Sequence, residues 1–164
     1  MPINPSFMDH QRLQSRLQDL PSTKRWIIGT AIFRDPESEN PTILLLQRAG
    51  NETFPNPWEL PSGPLDEADA SIAHAVKREV LEKTSLSVAR FIGEMEPLAW
   101  ESKSNPNIQL NYIVTVQPGG SVKTNPDEHS DWVWARLEEL DYFYITPAIK
   151  SVIQDAFIFI ADMD

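Results

Sequence analysis

Two almost continuous apolar runs, residues 25–33 (RWIIGTAIF) and 42–47 (TILLLQ), flank a stretch of turn formers at 35–41 (DPESENP). Short apolar runs bounded by such turns predict two buried strands joined as a hairpin. The period then changes. Over residues 70–84, Ile72, Ala73, Val76 and Val80 recur at helical spacing and predict one apolar helix face. Arg78, Glu79, Glu82 and Lys83 form a contiguous charged face on the same helix. Strand patterns follow at 87–92, 98–102, 108–117 and 131–135. A last helix at 146–161 turns Ile149, Val152, Ile153, Phe157 and Ile160 inward. This order of elements predicts an α/β (α+β) fold, a mixed β-sheet sandwiched between two main helices.

Ahead of the first strand, Met8, Leu13, Leu17 and Leu20 recur at roughly helical spacing and Pro21 ends the pattern. The expectation is an N-terminal helical extension over 1–24, outside the main core, followed by one domain over 25–164. A lid, a homodimer contact and simple packing are its candidate roles, with packing favoured. No internal repeat or low-complexity stretch interrupts the chain.

Composition narrows the chemistry. A chain of 164 residues with 41% hydrophobic and 23% charged residues suits one ordinary globular domain. The absence of cysteine excludes disulfides, thiolate zinc sites, iron–sulfur clusters and a thiol nucleophile. The formal charge of −10 argues against duplex nucleic acid or an anionic membrane as partner. An acidic protein that handles phosphate usually needs a cation as intermediary, either a metal or a local cluster of Lys and Arg. The longest apolar runs, 43–46 and 156–161, are far below the ~20 residues of a membrane span, and residues 1–20 lack an apolar signal core. The expected location is cytoplasmic and the expected partner a small-molecule substrate.

Residues 58–86 carry the most chemistry. A strand runs into a tight corner at Pro61-Ser62-Gly63-Pro64, then an acidic loop, then the charged helix. Glu79 and Glu82 stand one turn apart, where two carboxylates can share a hard cation such as magnesium or manganese. The corner backbone at Gly63 could offer such a cation a carbonyl. A cation there would bridge phosphate oxygens and activate water.

This stretch resembles the Nudix box: glycine, five residues, glutamate, seven residues, then Arg-Glu-apolar-x-Glu-Glu-x-Gly-apolar. Gly63 matches the opening glycine and Asp69 stands roughly where the loop glutamate belongs. Arg78-Glu79-Val80 matches the central triplet, Glu82 the first paired glutamate and Leu86 the closing apolar residue. The loop is one residue longer than the pattern. Leu44-Leu45-Leu46-Gln47-Arg48, Trp58-Glu59-Leu60-Pro61 and residues 131–140 (DWVWARLEEL) resemble other conserved-type stretches of the family, and the long loop with its Trp-Glu-Leu-Pro run resembles fungal Nudix-like proteins. The resemblance implies a Nudix-type α/β/α sandwich. It also implies metal-assisted hydrolysis of an organic or nucleoside diphosphate, with Glu79 and Glu82 as metal ligands and catalytic groups, Arg78 and Gly63 as structural support, and no organic cofactor.

The departures bear on that activity. Lys83 replaces the second paired glutamate, Ser85 the glycine after it, and Ser62 the glycine before Gly63. Replacing a carboxylate by an ammonium changes the local charge by two units. One unit pair at ~4 Å is worth roughly 4 kcal/mol at an effective dielectric near 20. A magnesium or manganese site is therefore expected to be weak or lost. Lys83 reads as a solvated lysine, an i+4 partner of Glu79 that closes the site, or a cation in place of the metal; the second has good helix geometry.

Glu128, before the 131–135 strand, resembles a remote glutamate that some Nudix enzymes use as base or ligand; an acidic turn is the plain alternative. Arg48, Trp58, Lys83 and Trp100 are the candidate substrate contacts, with core packing the competing role for both tryptophans. His129 reads as a bystander, and His10 and His74 as peripheral. Three functions follow: a weakened or altered diphosphate hydrolase, a metal-independent acid–base enzyme such as an isomerase or cyclase acting on a non-phosphorylated metabolite, or a pseudo-Nudix module that binds a nucleotide or metabolite without turnover.

Overall fold

The computed structural model describes residues 12–50 and 56–163. Seven strands and two long helices follow in order: β1 (Arg25–Arg34), β2 (Thr42–Arg48), β3 (Trp58–Glu59), β4 (Ser62–Pro64), α1 (Ile72–Thr84), β5 (Val88–Ser102), β6 (Asn105–Val116), β7 (His129–Ala135) and α2 (Pro147–Ala161). Short 3₁₀ helices cover Leu17–Asp19 and Leu137–Tyr142. The sheet is mixed. β1 and β6 run parallel over nine paired positions, and the remaining pairings are antiparallel.

The alternation along β1 and β2 explains the sandwich. Leu44 and Leu46 join Ile28 and Ile32 against Ile72, Ala75, Val76 and Val80 of α1. Ile43 and Leu45 join Ala31 and Phe33 against Val152, Ile153, Ala156, Phe157 and Ile160 of α2. Both faces of these strands are covered, so the sequence shows a continuous apolar run rather than an alternating one. The result is the expected α/β/α arrangement.

β1 splits its outer edge between two partners. Its end, Phe33 and Arg34, pairs with β2, whereas Ile27, Ile28 and Gly29 pair with β4. β2 then diverges to pair with β3 and β7. This divergence opens the molecule between β3 and β4, where the candidate site lies.

Three local expectations change. The strand patterns at 87–92 and 98–102 are one strand, β5, carried past Gly93 and Pro97 by register shifts, including one between Met95 and Leu98. β5 lies at the end of the strand order, and a proline is tolerated at a bulge on an edge strand. In α1 the buried face is Ile72, Ala75, Val76, Glu79 and Val80, so Ala75 replaces Ala73 and Glu79 leaves the solvated face. Of the N-terminal pattern, residues 7–11 lie outside the described residues. Within the described part Leu13 is buried in the α1-side core, and Arg12 pairs with Glu94 at 3.2 Å. Leu17 and Leu20 pack, partly buried, against the same core. No helix among the described residues is long and apolar enough to cross a membrane.

Candidate active site

Ser71 starts α1 by accepting a hydrogen bond from the His74 backbone N–H at 3.1 Å. Ser85 ends it in the left-handed conformation, φ 68°, at the position where the Nudix pattern has glycine. Between these ends the helix presents Arg78, Glu79, Glu82 and Lys83.

Arg78 is the hub of this face. Its Nε and Nη2 donate to the two oxygens of Asp69 at 2.8 and 2.7 Å. Nη1 donates to Glu79 Oε1 at 2.8 Å and to Glu82 Oε2 at 3.4 Å, and Nη2 also reaches the Pro64 carbonyl at 3.1 Å. One guanidinium thus ties the acidic loop, the helix and the corner strand together. The hydrogen bonds from Arg78 hold the Asp69 carboxyl down at about 2 against an ordinary 3.8. The same pairing raises Arg78 further above its ordinary range.

Glu79 is buried, and burial pushes its carboxyl upward while Arg78 and Lys83 pull the other way. Its Oε1 is held by Arg78, and its Oε2 has no partner among the described residues. That oxygen lies against Gly63: a Cβ there would stand 2.2 Å from it. The corner glycine is required because the carboxylate occupies the space a side chain would fill. The next cation on the helix, Lys83, points across to the loop before β7, where its Nζ lies 3.1 Å from Glu128 Oε2. The loop is tied down by backbone bonds from Lys123 to the Thr84 carbonyl and from Ala49 to the Glu128 carbonyl, both 2.9 Å.

A cavity of about 530 Å³ opens on the other side of Gly63. Arg48, Trp58 and Trp100 line it, together with Arg25, Glu59 and Gln109 and the apolar Ile27, Leu60, Leu98 and Ile149. Of the other expected site residues, Gly63 is in its wall, whereas Glu79, Glu82, Glu128 and Lys83 do not line it. The expected residues thus form two groups with the Gly63 strand between them.

The sequence assigned no function to Glu59 and Gln109 of the cavity wall, or to His129 behind Glu59. Glu59 receives Arg48 Nε on Oε1 at 2.8 Å and meets His129 Nε2 with Oε2 at 3.0 Å. His129 is buried by the loop geometry that places Glu128 at the surface. Gln109 donates to Asn111 Oδ1 at 2.8 Å, and Asn111 in turn donates to the Glu96 carbonyl at 3.1 Å. Both amides lie over Gly29, where a Cβ would come within 2.3 Å of Gln109 Nε2. The available signal was pairing register, since Arg48 pairs with His129 and Leu46 with Glu59 across β2. A single sequence does not display register.

Among protein families, the NUDIX domain matches residues 24–156. The chain belongs to the NUDIX family. Solved Nudix structures share the fold. An Ap4A hydrolase from C. elegans, solved as a binary complex, is 22% identical with TM-score 0.67, covering 85% of this chain and 99% of that one. A MutT Nudix hydrolase from Burkholderia pseudomallei is 23% identical with TM-score 0.65, covering 80% and 96%. The Nudix domain of NrtR from Shewanella oneidensis, complexed with ADP-ribose, is 18% identical with TM-score 0.65, covering 94% and 97%. No curated protein matches the sequence.

Nudix hydrolases generally use magnesium or manganese, so the donor set matters. Glu79 Oε1 is committed to Arg78, and Oε2 faces the Gly63 backbone in a buried pocket. Glu82 leans toward Arg78, and the third position supplies the Lys83 ammonium instead of an oxygen. Among the described residues no three His, Asp or Glu side chains are grouped to hold a metal. A divalent ion favours several oxygen ligands of negative charge. This donor set does not fit one.

Proposed function

We propose that this Nudix domain is an enzyme acting on a small molecule held in the cavity between β3, β4 and the β5–β6 edge. Its inherited reaction is hydrolysis of an organic or nucleoside diphosphate, which Lys83 has weakened. The chemistry that its side chains support is metal-independent acid–base catalysis. The observation that carries this reading is the Lys83–Glu128 pair at 3.1 Å. It puts a positive charge, neutralised by the chain itself, where the family pattern requires a carboxylate.

In this reading Glu79, Glu82 and Glu128 are the carboxylates of the inherited hydrolytic site. Arg78 and Gly63 position them: Arg78 fixes Glu79 Oε1, and Gly63 gives the carboxylate room. Arg48, Trp58 and Trp100 contact the substrate from the cavity wall. Lys83 reaches substrate oxygens only after leaving Glu128. The aromatic and aliphatic walls favour a ligand that carries a planar ring, and the volume suits a metabolite of drug-like size.

ADP-ribose and Ap4A, which occur with the structural relatives, are suitable probes of the inherited reaction. The test is turnover of both by the wild-type protein in EDTA and in millimolar magnesium or manganese. The proposal expects little or no hydrolysis under either condition. Rapid metal-dependent hydrolysis by wild type would refute it.

A further inference from the structure

The geometry points to Glu59 as the catalytic base of the cavity, acting on an anionic, enolisable carbonyl compound that carries a planar ring. This rests on the metal-independent acid–base reading and names the group that performs it. Glu59 is the one carboxylate among the described residues that line the cavity. Its side chain remains 17% exposed, although each oxygen has a fixed neighbour. A carboxylate oxygen has two lone pairs, so after meeting Arg48 and His129 each oxygen keeps one for a substrate proton.

His129 and Arg48 are positioning residues. His129 is buried and its Nδ1 has no partner among the described residues. A carboxylate only accepts, so the 3.0 Å contact is made by Nε2–H donating to Glu59 Oε2. The carboxylate thereby meets a buried donor from β7 and a largely exposed one from β2.

Two further observations set the ligand class. Trp58 and Trp100 contribute aromatic surface to the cavity wall, and Trp100 is 39% exposed. Arg25 lines the same cavity and makes no ion pair among the described residues. An unpaired guanidinium beside an aromatic wall suits an anionic group on a ring-bearing ligand.

The step balances without a co-reactant. Glu59 takes a proton from carbon beside the carbonyl. The C–H electron pair moves into the C–C bond and the carbonyl pair onto oxygen, giving an enolate close to Arg48 or Arg25. Glu59 then returns the same proton to that carbon or to another in conjugation, which is an isomerisation.

Phenylpyruvate in D₂O containing EDTA is the probe. Proton NMR reads deuterium entry at its benzylic carbon, and saturation transfer on the same sample reads binding. Wild type is expected to bind it and to accelerate exchange. Glu59→Gln is expected to lose that acceleration by about 100-fold, the scale of a general base, while saturation transfer and the thermal midpoint persist. Arg25→Gln is expected to weaken binding. Undiminished exchange in Glu59→Gln, binding without exchange in wild type, or no binding in wild type would each overturn the proposal. Exchange that requires magnesium but still disappears in Glu59→Gln would support Glu59 as base and refute the metal-free reading on which it rests.

Discussion

Lys83→Glu should turn the charged face of α1 into a divalent-ion site. The substitution removes the ammonium, breaks the 3.1 Å pair and releases Glu128 as an additional carboxylate. Lys83 is four residues after Glu79 and adjacent to Glu82, and side chains one turn apart lie about 6 Å from one another. At that distance and an effective dielectric of 20, each unit of charge changes the energy of a divalent ion by roughly 5.5 kcal/mol, so the two-unit change amounts to roughly 11 kcal/mol. Solvent, salt and side-chain motion remove most of this, because Glu82 and Glu128 are about half exposed. If only about an eighth survives, 1.4 kcal/mol remains, which is tenfold in affinity. Calorimetric titration with manganese is therefore expected to show at least tenfold tighter binding by the variant. Equal affinities in the two proteins would refute the charge argument, and tight binding by wild type would refute the account of the donor set.

Other outcomes follow from the same geometry. Glu79→Gln and Glu82→Gln should each abolish any diphosphate hydrolysis gained by Lys83→Glu, measured by phosphate release; retained hydrolysis in both would place that activity elsewhere. In the same Lys83→Glu background, Glu128→Gln should lower diphosphate turnover by about 100-fold or more, and near-normal turnover would remove Glu128 from the site. Asp69, held at about 2 against 3.8, should contribute about 2 kcal/mol of stability above pH 4 that disappears as pH falls from about 4 to 2; Asp69→Asn should lose that amount at pH 7 in urea melts and flatten the profile below pH 4. Ser85→Gly should stabilise the protein by about 0.5–1 kcal/mol, because Ser85 occupies a left-handed position that glycine adopts without strain; an unchanged urea midpoint would show that the Ser85 hydroxyl bond to the Lys123 carbonyl compensates.

The fold was legible because its signals are local. The run Ile43–Leu46 is apolar without interruption because both faces of β2 are covered, and the Nudix pattern from Gly63 to Leu86 fixes the corner and helix that follow. β5 was harder, since Gly93 and Pro97 end a strand by local rules but are absorbed by bulges at a sheet edge. The site was legible in part for a related reason. Arg78, Glu79, Glu82 and Lys83 occupy one helix, so their spacing reveals their neighbourhood. Glu79 nevertheless lies on the buried face, because it is accommodated by a glycine 16 residues earlier, which helical periodicity does not report. Glu59 and His129 are 70 residues apart and meet only through the pairing of β2 with both β3 and β7. In the sequence each of them had only a bland context.

The most direct test of the central claim is a crystal structure of the wild-type protein grown with millimolar manganese, with anomalous scattering measured at the metal edge. The account predicts the Lys83 ammonium on Glu128, the Arg78 guanidinium on Asp69 and Glu79, and no anomalous peak beside the helix. A manganese peak ligated by Glu79 and Glu82, with Lys83 turned out to solvent, would contradict it.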